Sequence, residues 1–119
     1  MRQLTTHEQT AKLIELGFEK PKMAAPALKW VDGEPTFESQ YTIGELIEML
    51  PRCIESRGGD EAVLEISYDS QDFEWYCGHR WVYNSGWRRF NGNYKTCDDK
   101  ELIDALYRYI VALTEEGVI

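Results

Sequence analysis

Cys77 and His79 lie two residues apart within Phe73 to Tyr83, a run rich in aromatic and β-branched residues. Side chains two apart on a strand point to the same face, so a thiol and an imidazole would stand together there, flanked by Trp75 and Trp81. Such a pair is the raw material of a thiol nucleophile with its base, or of half a zinc site with Cys53 and Cys97 as the distant half. The spacing favours a plainer role. Strand neighbours two apart are too far for a tight nucleophile–base hydrogen bond, the pattern is not that of a zinc finger, and a cysteine among tryptophans is usually a small core residue. The three cysteines are an odd set without close pairing, which predicts free thiols and a reducing, cytoplasmic setting.

The carboxylate pairs Asp98-Asp99 and Glu115-Glu116 fall at predicted helix ends, where capping by Asp98 and simple exposure of the glutamates explain them. No second carboxylate can be placed across a cleft, as glycosidase chemistry requires. His7, in the first turn of a predicted helix, reads as solvated. No phosphate-cradling glycine loop, serine elbow or zinc-protease helix occurs, so the sequence assigns no catalytic, cofactor-binding or metal-binding residue.

A different feature carries more. From Trp75 to Cys97 there is not one acidic residue, in a chain whose net charge is −8. The stretch interleaves Trp75, Tyr76, Trp81, Tyr83, Trp87, Phe90 and Tyr94 with Arg80, Arg88, Arg89 and Lys95. Trp, Tyr and Arg are the residues enriched at protein-interface hot spots. The same mixture offers single-stranded nucleic acid a stacking face with phosphate partners, but the acidic remainder of the chain repels phosphate and disfavours that reading. The plain alternative is an aromatic face filling the core with arginines on a solvated face. The candidate contact residues are Arg80, Trp81, Tyr83, Trp87, Arg88, Arg89, Tyr94 and Lys95.

The elements that position these residues follow from composition and period. With 119 residues, 43% hydrophobic and 29% charged, the chain suits one globular domain over 1–119. Its apolar runs are far shorter than the ~20 residues of a membrane span. Thr5 and Thr6 ahead of Glu8 and Gln9 have capping-box spacing for a first helix that ends at Gly17, and Thr42 before Glu45 begins a second, with Ile43, Leu46, Ile47 and Leu50 as its stripe. Pro51 either kinks that helix or opens one more turn through Arg52, Cys53 and Ile54. Between the helices, Ala27–Val31 and Thr36–Phe37 read either as two strands turned at Asp32-Gly33 or as a loop over the core.

Ala62, Leu64, Ile66 and Tyr68 alternate with Val63, Glu65, Ser67 and Asp69 as a strand with one buried face. That strand should pair antiparallel with Phe73–Tyr83, which is followed by a third at Trp87–Phe90 and an extended piece at Tyr94–Thr96. Asp98 ahead of Glu101 predicts a last helix, carrying Leu102, Ile103, Leu106, Ile110 and Leu113 to Gly117. The expected fold is α+β: a three- to four-stranded antiparallel meander with about three helices, mainly on one face.

Three of these stretches together, Leu4 to Phe18, Tyr41 to Pro51 and Leu102 to Ile119, resemble small uncharacterised proteins of gut Bacteroidetes genomes and their prophages. Together these stretches make up 44 of the 119 residues. It implies a phage or prophage context and a cytoplasmic setting, and carries no activity, cofactor or residue role with it. The reading is a non-enzymatic interaction module binding a protein through the basic, aromatic sheet surface. Binding of single-stranded nucleic acid by that surface is the alternative, and a metal-dependent enzyme at Cys77 and His79 a third. An open sheet edge and an apolar C-terminal tail also leave room for self-association.

Overall fold

The computed structural model describes residues 1–21, 27–31, 34–38, 40–55, 61–83, 86–89 and 97–119, with 27–31, 34–38, 81–83 and 86–89 described as backbone. Among the described residues three helices, α1 (His7–Glu15), α2 (Ile43–Met49) and α3 (Leu102–Glu115), accompany seven strands. These are β1 (Ala27–Val31), β2 (Glu34–Glu38), β3 (Cys53–Glu55), β4 (Glu61–Asp69), β5 (Glu74–Tyr83), β6 (Gly86–Arg89) and β7 (Cys97–Asp99). β1 and β2 pair antiparallel as a small separate sheet, as the hairpin reading of that segment expected. The main sheet runs β3-β4-β5-β6, the expected antiparallel meander. β7 joins β5 beside Trp75–Cys77, whereas β6 pairs with Arg80–Tyr83 farther along.

Both predicted capping boxes form. Thr6 Oγ1 accepts from Gln9 N–H while Gln9 Oε1 accepts from Thr6 N–H, and Thr42 and Glu45 repeat the arrangement at the start of α2. Each box satisfies amides that have no partner inside the helix. Thr42→Ala should therefore destabilise the protein by about 1 kcal/mol in urea denaturation, with Thr42→Ser close to neutral; equal effects from the two would remove the cap as the cause. At the other ends, Gly17 and Gly117 have positive φ (102° and 75°). This lets Phe18 N–H return to Leu13 O and Val118 N–H to Leu113 O, both Schellman closures.

Two expectations are corrected. Asp98 does not cap α3: it lies in β7 opposite Tyr76, and the N-cap position is Glu101, whose side chain makes no cap bond. Pairing with β5 holds 97–99 extended, which delays the helix, and Asp99 Oδ1 instead accepts from Glu101 N–H at 3.1 Å. Nor does Pro51 kink α2 or open a further turn. The helix stops at Met49, Leu50 is extended, and Cys53–Glu55 become a strand paired with Glu61–Val63. Proline removes the amide a helix would need, and the edge of β4 supplies alternative partners.

The core lies between the sheet and the helices. Leu102, Ile103, Ala105, Leu106, Tyr109, Ile110 and Leu113 form the buried stripe of α3 and meet Leu13 of α1, Leu46 of α2, and Cys77 and Cys97 of the sheet. Polar ties fasten the N-terminus to this body. Thr5 Oγ1, fully buried, accepts from Tyr41 N–H (3.0 Å) and contacts Thr10 Oγ1 at 2.7 Å. The Arg2 guanidinium pairs with Asp104 on α3, which also accepts from Gln9 Nε2 at 2.7 Å.

Candidate functional site

The long strand β5 organises everything the sequence singled out, because its pleat sends alternate residues to opposite faces. On the helix side stand Cys77 and His79, both fully buried, with Trp75 packed against the core cluster. On β4, Ala62 lies opposite Trp81, Leu64 opposite His79 and Ile66 opposite Cys77, so the inner face is continuous across both strands.

His79 is held from two sides. The Pro51 carbonyl can only accept, so His79 Nε2 carries the proton and donates to it at 2.8 Å, leaving Nδ1 to accept from the Tyr109 hydroxyl. The ring thereby joins β5 to α3 and to the end of α2. Burial drives its pKa below the ordinary value of 6.5, only partly opposed by the bond to Pro51. The Cys77 thiol is pushed up to about 12, first by burial and then by Cys97. Cys77 is thus a protonated core thiol at neutral pH, and the imidazole two residues on is engaged elsewhere. Of the two proposed distant metal partners, Cys53 is exposed on β3 and Cys97 lies on β7 opposite Cys77. Among the described residues no group of three or more His, Cys, Asp or Glu side chains is placed to hold a metal ion.

The eight candidate contact residues are distributed by the same pleat. Arg80, half-buried on the outer face, pairs with Glu65 of β4. Nε of Arg80 and Oε2 of Glu65 are buried with no hydrogen-bond partner. Register sets Arg89 opposite Arg80, Arg88 opposite Trp81, Trp87 opposite Val82 and Gly86 opposite Tyr83. By backbone parity Arg80, Trp87 and Arg89 hold outer-face positions, while Trp81, Tyr83 and Arg88 share the parity of Cys77 and His79. Tyr94 and Lys95, with the extended piece expected at Tyr94–Thr96, lie outside the described residues.

Sequence reasoning missed Glu65 as the acid facing Arg80, although Glu65 stands at an outward position of the alternating β4 pattern. It also missed a cleft of about 550 Å³ at the opposite end of β5, lined by Tyr68, Asp69, Asp72, Glu74, Trp75 and Asp98 among others. The Tyr68 and Trp75 rings lie 5.1 Å apart there. Asp98 reaches this cleft only because β7 pairs with β5. One strand therefore has carboxylates about its first residues and arginines about its last.

No protein-family model, no curated protein and no solved structure matches the chain. No helix among the described residues is long and apolar enough to cross a membrane.

Proposed function

We propose that the chain is a non-enzymatic interaction module of phage or prophage origin that binds an anionic surface of a protein partner through β5 and β6. The observation that carries this reading is the placement of Arg80 and Arg89 at directly opposed positions of two antiparallel strands. Like charges so placed cost a sheet up to about 1 kcal/mol. Glu65 offsets one of them from within the chain. A partner's carboxylates would offset the pair, and guanidinium groups suit them because each makes two parallel hydrogen bonds. Trp87, at the outer-face position next along β6, supplies one of the residue types on which interfaces depend most.

The test is affinity capture from host lysate with the full chain and with Arg89→Glu, both checked for folding by circular dichroism. Reversing that charge should weaken a specific partner's binding at least about tenfold. An unchanged set of captured proteins would count against the surface. Oligothymidylate binding at low ionic strength, with affinity falling steeply as salt rises, would replace a protein partner by single-stranded nucleic acid.

A further inference from the structure

The sheet brings two of the three cysteines together although 77 and 97 are far apart in the chain. Cys77 lies midway along β5, Cys97 opens β7, and the ladder sets them directly opposite each other. Both are buried and both are thiols. Directly opposed residues of an antiparallel pair have Cα atoms about 4.5–5.5 Å apart, within the roughly 4.4–6.8 Å a disulfide bridges. The rise in the Cys77 pKa traced partly to Cys97 is a second sign of their proximity.

The geometry points to a latent disulfide: Cys77 and Cys97 form a dithiol that closes into an intramolecular bond by exchange with a low-molecular-weight disulfide. This inference is independent of the interaction surface. In the first step the Cys77 thiolate attacks the small disulfide RSSR, a mixed disulfide forms, and one thiolate leaves and takes up a proton. In the second the Cys97 thiolate attacks the Cys77 sulfur, the Sγ–Sγ bond forms, and a second RSH is released. The two protein thiols lose two electrons and two protons, and the small disulfide gains both.

The fold controls the rate. Exchange needs a thiolate and an accessible sulfur, and burial denies both while β7 stays paired. β7 has only three residues, so its local detachment costs far less than global unfolding. Once closed, the bond encloses residues 77–97, the span that contains nearly all of the acid-free stretch, and restricts that span in the unfolded chain.

The experiment uses the full chain carrying Cys53→Ser, which removes the exposed competing thiol, incubated with oxidised glutathione with and without urea below the unfolding transition. Urea should speed the reaction by about tenfold or more. The product should weigh two hydrogens less, contain no alkylatable thiol, give a peptide linked through 77 and 97, and melt roughly 5–10 °C higher. Thiols that both still alkylate after the urea incubation, or that each carry a separate glutathione, overturn the proposal. Adding Cys97→Ala should trap glutathione on Cys77 without raising the melting temperature; the same rise in that variant would also overturn it.

Discussion

His79→Leu will destabilise the protein by about 3 kcal/mol at neutral pH and will flatten its response to mild acid. Leucine fills a similar volume, so the loss comes from the two hydrogen bonds that His79 makes. The Tyr109 hydroxyl loses the nitrogen it donates to, and the Pro51 carbonyl loses a donor, each at about 1–3 kcal/mol when buried. The pH effect has a definite sign. Burial first, against the opposing bond to Pro51, lowers the imidazole pKa in the folded protein from 6.5. Above that value both states are neutral and the stabilisation is complete. As pH falls below it the unfolded chain takes up a proton that the folded chain resists, and stability is lost down through the folded pKa. Urea melts at about pH 8 and about pH 5.5 bracket the ordinary imidazole value. The gap between wild type and variant should narrow at the lower pH, and a constant gap would refute the buried neutral imidazole.

Leu46→Ala should cost a similar amount, about 3 kcal/mol, for a different reason. α2 has seven residues, too few to hold a helix in water by itself. Its one fully buried side chain is Leu46, which packs into the cluster formed with α3. Truncation removes the transfer energy and leaves a cavity that a helix capped at Thr42 cannot readily close. Amide hydrogen exchange should show α2 losing protection before α3, whereas Glu48→Ala on the exposed side should change stability by less than about 0.5 kcal/mol. Uniform loss across both helices would mean that α2 does not depend on this anchor separately.

The parts of the fold that depend on local bonding were legible in advance. Thr6 with Gln9, Thr42 with Glu45, Gly17 and Gly117 act on amides and carbonyls within a few residues, so their spacing alone is informative. The alternation of Ala62, Leu64, Ile66 and Tyr68 reported an inner face as far as Ile66, whereas Tyr68 is exposed. β3 and β7 escaped notice. With three residues each they have no period to detect, and what makes them strands is an open edge on β4 and on β5. Asp98 shows the cost of reading locally: its capping spacing is real, but a long-range ladder outcompetes it.

The candidate surface divides along the same line. The absence of acid from Trp75 to Cys97 and the presence of Arg80, Trp81, Tyr83, Trp87, Arg88, Arg89, Tyr94 and Lys95 are properties of sequence alone. Pairing decided that Arg80 faces Glu65, that Arg89 stands opposite Arg80, and that Arg88 and Trp81 share the parity of the inner face. Pairing likewise set Cys77 against Cys97 and placed His79 between Pro51 and Tyr109. Order along the chain determines which residues are near neighbours and hence caps, turns and the period of each strand. Contacts between distant segments depend on register, and register is settled only when whole faces compete for burial.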